Sequence, residues 1–120
     1  SASYSGGLTA TDSIRGKFSL LACDQGGQLV VLNVSNGNLD FTVPGLQNPE
    51  GVFSKTGLLA VTGEPLSNEM RYVDVYDDTG KRIAHISSGN SGFPIPSSFS
   101  SNGRLLATFT AVINLDDWVK

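Results

Sequence analysis

The sequence predicts an all-β protein. Short apolar runs recur along the 120 residues, and turn-forming residues separate them. No stretch keeps a helical spacing of apolar residues over ten positions or more. Fourteen Gly and five Pro punctuate the chain, the composition of many tight turns rather than of long helices.

Taken in order, the first strand is Lys17–Cys23, closed by the turn Gln25-Gly26-Gly27 and followed by Gln28–Val34. Ser35-Asn36-Gly37 then leads into Asn38–Val43, and Asn-Gly between apolar runs marks a hairpin because both residues tolerate positive φ. The second half repeats the scheme, with Leu58–Thr62, a loop, and Arg71–Tyr76. Asp77-Asp78-Thr79-Gly80 then turns the chain into Lys81–Ile86. In that last run, simple alternation sets Ile83 and His85 on one face and Ala84 and Ile86 on the other.

These elements belong to a repeat. Leu-Leu-Ala stands at Leu20-Leu21-Ala22, Leu58-Leu59-Ala60 and Leu105-Leu106-Ala107, and Phe-Ser-x-x-Gly precedes two of the copies at Phe53–Gly57 and Phe99–Gly103. Val73-Asp74-Val75-Tyr76-Asp77-Asp78 matches Val112-Ile113-Asn114-Leu115-Asp116-Asp117, and Val31–Val34 holds the same place in the first copy. A period of about 40–45 residues with four short strands per unit is that of a propeller blade. Small sheets of this kind are apolar on both faces and hide them against their neighbours. The expected organisation is one domain over 1–120, with blades near 8–48, 49–92 and an incomplete 93–120; a single β-sandwich with similar hairpins is the alternative.

Pro49-Glu50-Gly51-Val52-Phe53-Ser54-Lys55-Thr56-Gly57-Leu58-Leu59-Ala60, followed by Tyr72–Lys81, resembles a WD40-like or YVTN-type propeller blade. The resemblance extends over about residues 14–120 and implies four-stranded antiparallel blades around an axis. The chain departs from the WD40 pattern in having no Gly-His or Trp-Asp dipeptide. Trp118 follows Asp117 instead, so that family's Ser/His/Asp/Trp hydrogen-bond set has no counterpart here.

Fewer than three such blades cannot close a ring, since closed propellers have four to eight. An open arc would leave apolar faces and an unpaired edge uncovered. The expectation is therefore a partial propeller completed by another copy of the chain, by a partner chain or by the remainder of a longer polypeptide. Two three-blade chains would make six blades, with Leu8–Thr11 supplying the outer strand of the last one.

Composition narrows the partners. A net charge of −3, with eight scattered Lys and Arg, argues against nucleic acid, whose phosphates are met by clustered cations. The longest apolar runs fall far short of the ~18–20 residues of a membrane-spanning helix. One cysteine, Cys23, excludes an internal disulfide and a Cys-x-x-Cys metal pair, and is read as a small buried hydrophobe. Ser1–Ala10 shows no leader pattern, and a processed leader would leave none; low cysteine use fits cytoplasm, which is slightly favoured, with secretion after leader removal the alternative.

No catalytic, cofactor or metal set is expected. Asp77-Asp78 and Asp116-Asp117 sit at strand ends, where carboxylates serve as turn acceptors more readily than as ligands of one ion. His85 has no ligand neighbour and is read as a half-solvated strand residue. The Ser-rich segments lack a Gly-x-Ser-x-Gly elbow, and Gly26-Gly27 precedes no helix that would cradle phosphate. Asn33-Val34-Ser35 fits a glycosylation sequon at a strand end. Partner contacts are expected in the loop Gly63–Met70, through Glu64, Leu66, Glu69 and Met70, and on the stiff connector Phe93-Pro94-Ile95-Pro96, through Phe93 and Ile95. Trp118 completes the set. The expected function is a non-catalytic protein-interaction module of the propeller type, or a fragment of one, that completes its sheet or ring with another copy or another chain. A coat- or filament-like subunit built by strand addition is one alternative. Part of a lactonase- or quinoprotein-like propeller enzyme is the other.

Overall fold

The computed structural model describes residues 5–12, 18–23, 28–33, 36–67, 71–87, 96–108 and 112–118. Eleven strands are described: β1 (Ser5–Asp12), β2 (Phe18–Cys23), β3 (Leu29–Asn33), β4 (Leu39–Val43), β5 (Leu46–Phe53), β6 (Leu59–Pro65), β7 (Tyr72–Tyr76), β8 (Arg82–Ser87), β9 (Pro96–Phe99), β10 (Leu105–Thr108) and β11 (Val112–Asn114). A short 3-10 turn, η1 (Leu115–Asp117), follows β11. The strands form three antiparallel sheets in chain order, β1-β2-β3-β4, β5-β6-β7-β8 and β9-β10-β11. Each is a meander of neighbours, the arrangement that closes the shortest loops and so loses least chain entropy.

Two departures from the sequence reading concern the strands themselves. Leu8–Thr11 does not complete the last sheet: it lies in β1, which pairs with β2 from Asp12↔Phe18 to Ser5↔Cys23 and heads the first sheet. The adjacent hairpin partner is reached through a far shorter loop than the last sheet. The loop expected from Gly63 is strand as far as Pro65, because Leu46 and Gln47 of β5 pair with Pro65 and Glu64. β5 accommodates Pro49 at a register shift between Gln47 and Glu50, beside Asn48 at φ 50°. A missing N–H is tolerated at a bulge, and Asn is among the residues that enter left-handed backbone most readily.

One turn design serves twice. Between β5 and β6, Ser54 N–H donates to Leu58 O (2.8 Å) and Gly57 N–H to Ser54 O (3.3 Å). The Ser54 hydroxyl oxygen accepts from the N–H groups of Thr56 (3.2 Å) and Leu58 (2.8 Å). Between β7 and β8, Asp77 N–H donates to Lys81 O (2.9 Å) and Gly80 N–H to Asp77 O (3.1 Å). Asp77 Oδ1 accepts from Thr79 N–H, Lys81 N–H and the Thr79 hydroxyl (2.9, 3.0 and 2.6 Å). The fourth residue of each turn has positive φ, Gly57 at 91° and Gly80 at 87°, where a Cβ would be strained. Asp77 thus fills the turn-acceptor role expected of it. The Asp116-Asp117 pair does not: those residues lie in η1, whose N-cap is Asn114, with Oδ1 accepting from Asp116 N–H (3.0 Å).

The middle sheet is buried on both faces. One cluster joins it to the first sheet, with Leu29, Val31, Val43 and Leu46 packed against Leu59 and Val61 and flanked by Phe41, Phe53, Tyr72 and Tyr76. The other joins it to the third sheet, with Ala60, Val73, Val75, Ala84 and Ile86 against Leu106 and Leu115. Strand alternation sorts neighbouring residues between the two: Leu59 and Val61 face one way, Leu58 and Ala60 the other. Two separate interiors differ from a single two-sheet sandwich, which has one. Ile83 packs into the second cluster with Ala84 and Ile86, away from His85, because the register shift between Val75 and Tyr76 breaks the alternation there.

Candidate groove and the Asp74–His85 pair

The hairpin register of β7 and β8 sets Asp74 opposite His85 and, beyond the shift, Tyr76 opposite Arg82. Asp74 is buried, with only 6% of its side chain exposed, between Val73 and Val75. A buried carboxylate needs partners to offset lost hydration. It has two, one on each oxygen: His85 Nδ1 at 2.5 Å from Oδ1 and Arg82 Nη1 at 3.6 Å from Oδ2. The Tyr72 ring packs against His85, with centroids 4.7 Å apart and the planes tilted by 43°. Burial pushes the Tyr76 hydroxyl above its ordinary range, and the Asp74 carboxylate adds to that. No group of three or more His, Cys, Asp or Glu among the described residues is placed to hold a metal ion.

Beside this pair a groove of about 520 Å³ opens between β8 and the end of η1. Arg82, Ile83, Ala84 and His85 form one wall, and Asp117 and Trp118 the other. Trp118 closes η1, its N–H donating to Leu115 O (2.9 Å), and 38% of it is exposed. A second hollow of about 300 Å³ lies between the turn after β5 and the turn after β9, with Lys55 and Ser98, Ser100 and Ser101 around it.

Of the residues expected to contact a partner, the structure brings only Trp118 to the groove. Glu64 sits at the end of β6 in an exposed ion pair with Arg71 (3.2 Å). Leu66 is 70% exposed, its N–H donating to Gly45 O (2.9 Å). Glu69, Met70, Phe93 and Ile95 lie outside the described residues, as do the Gln25–Gly27 turn and two residues of the sequon. Sequence reasoning passed over Asp74 and Arg82, and it took His85 as merely solvated. The signal was present: a carboxylate in Val73-Asp74-Val75 occupies an inward strand position, and the four-residue turn that follows sets its partners by register.

No protein-family model matches the chain, and a search of the curated proteins finds no match either. One chain of a solved complex of KlAtg21 with the coiled-coil of AgAtg16 is similar in fold, with a TM-score of 0.61 at 14% identity. The likeness covers 88% of this chain but 36% of that one, so the chain spans about a third of the length of the structure it resembles. No helix among the described residues is long and apolar enough to cross a membrane.

Proposed function

We propose that the chain is a non-catalytic interaction module of the propeller type, whose stack of sheets is completed by another copy or another chain. The observation that carries this reading is the outward face of the third sheet. Leu106 and Ile113 turn into the second core, so the intervening positions point away from it. Those positions include Leu105, 42% exposed, and Val112, 68% exposed. The corresponding residues of the middle sheet are covered by a neighbouring sheet. An open apolar face at the end of a stack is a docking surface for one more sheet. The fold likeness to part of a much longer chain, solved in a protein–protein complex, agrees with a module that works against protein.

Molar mass measured by sedimentation over a range of concentrations tests the proposal. A discrete oligomer, split by Val112→Asp without loss of β structure, is the expected result. A chain that stays monomeric and stable at all concentrations, without any partner, removes its basis. Open-ended polymers would instead favour the filament-like subunit, in which edges join by strand addition.

A further inference from the structure

The chain holds two Asn-Gly steps in the same local frame, Ser35-Asn36-Gly37 and Ser101-Asn102-Gly103. At such a step the glycine nitrogen can attack the preceding carboxamide, because glycine has no side chain to obstruct the approach. The shared Ser-Asn-Gly frame gives the two steps closely similar intrinsic chemistry, so a difference between them is set by the fold. In both, the Asn amide oxygen accepts from the N–H two residues ahead, Asn38 for Asn36 (2.9 Å) and Arg104 for Asn102 (3.0 Å). In both, the glycine N–H is engaged as well, Gly37 with Asn33 O (2.7 Å) and Gly103 with Ser100 O (2.9 Å). Ring closure at either step therefore waits for its turn to open.

The two openings are not alike. Asn36, Gly37 and Asn38 are all exposed at the end of the β3–β4 hairpin, and a Cβ on Gly37 would meet nothing within 4 Å. Opening there breaks the last bonds of one hairpin, including Asn33 N–H to Asn38 O (2.8 Å), and none of these residues belongs to either core. Gly103 is buried instead, with the Thr56 hydroxyl standing where its Cβ would be. That hydroxyl is in turn hydrogen-bonded to Ser54 Oγ (2.9 Å), and the Ser100 hydroxyl gives Asn102 Oδ1 a second donor (2.7 Å). Opening at Asn102 parts the turns of the second and third sheets.

We infer that Asn36 is a site of spontaneous covalent modification, deamidation through a cyclic imide, and that the fold selects it over Asn102. The Gly37 nitrogen forms a bond to Asn36 Cγ and gives up its proton, while the Cγ–Nδ2 bond breaks and Nδ2 leaves as ammonia. Water then opens the five-membered imide at one carbonyl or the other, leaving aspartate or isoaspartate. Either product puts a carboxylate where the amide stood and makes the net charge one unit more negative than −3. Isoaspartate also lengthens the main chain by a methylene, inside a turn that Gly37 closes at φ 73°, and so loosens the entry to β4.

Incubating the intact chain in mildly alkaline buffer and following both steps by peptide mapping with mass spectrometry tests the inference. The expected result is conversion at Asn36 roughly tenfold or more faster than at Asn102 in the folded protein. In urea, where only the shared frame remains, the two rates should agree within about twofold. Thr56→Ala, which uncovers Gly103, should raise the Asn102 rate and leave that of Asn36 unchanged. Equal rates in the folded chain, or a faster Asn102, overturns the inference. So does a gap that persists undiminished in urea, which would place the bias in the sequence and not in the fold. A rise at both sites in the Thr56 variant would trace the reaction to global unfolding and overturn it as well.

Discussion

At the residue scale, the five-residue turn repeated at Ser54–Leu58 and Asp77–Lys81 is the most sharply determined feature of the molecule. In both copies a single side-chain oxygen satisfies two backbone N–H groups that the tight reversal would otherwise leave unpaired. Replacing Asp77 by Ala should cost about 1 kcal/mol, measured as a lower urea midpoint at unchanged slope. Partial burial raises the Asp77 pKa, but the hydrogen bonds from Thr79 and Lys81 outweigh it and hold the carboxyl below its ordinary value of 3.8. The unfolded chain binds that proton first as pH falls. The stabilising contribution is therefore complete above about pH 4 and is lost as pH drops through the lower folded value. Because Asp77 is largely exposed, the effect is small, and Asp77→Asn should flatten the acid limb of the stability profile only slightly.

Glycine at the fourth turn position carries a second constraint that turn chemistry alone does not explain. Gly80 has Phe41 pressed against it, and Gly103, at φ 73°, has the Thr56 hydroxyl where a Cβ would stand. Gly80→Ala should destabilise the protein by about 1–3 kcal/mol, through positive φ and overpacking together. A urea midpoint equal to the parent's would show that the Phe41 contact is looser than the structure has it.

At the scale of the element, the three Leu-Leu-Ala copies share one place: each lies in or at the start of the second strand of its sheet. In the second and third copies the consecutive leucines serve opposite faces. Leu106 is fully buried in the second core while Leu105 is 42% exposed. Leu106→Ala should cost about 2–5 kcal/mol, whereas Leu105→Ala should stay within about 0.5 kcal/mol. Comparable losses at the two sites would mean that the outer face is already covered. The third strands diverge at their ends: β7 runs on into the Asp77 turn and β8, whereas β11 stops at Asn114, whose side chain caps η1. The difference is one of local hydrogen bonding, since Asn114 offers its amide oxygen to Asp116 N–H, two residues ahead.

At the scale of the whole molecule, stability is concentrated in the sheet that two others cover. Val61, Val73 and Val75 are fully buried in two different interiors of the same sheet. Amide hydrogen exchange should therefore be slowest in β6 and β7 and faster in β11, which faces one core and leaves Val112 open. Uniform protection across the three sheets would contradict the layered arrangement.

The sequence by itself determined that the chain is built of short antiparallel strands and where the Asn36-Gly37 and Asp77–Gly80 reversals fall. Turn chemistry and period-two alternation are local, and residues a few positions apart express them whatever the rest of the chain does. The partner of β1, the bulge that turns Ile83 away from His85, and the groove between β8 and η1 were decided only by tertiary structure. Each depends on groups brought together from separate strands or sheets. Asp74 and His85 stand between these cases: their pairing follows from the register of one hairpin, but the burial that gives the pair its weight comes from the sheets packed on either side.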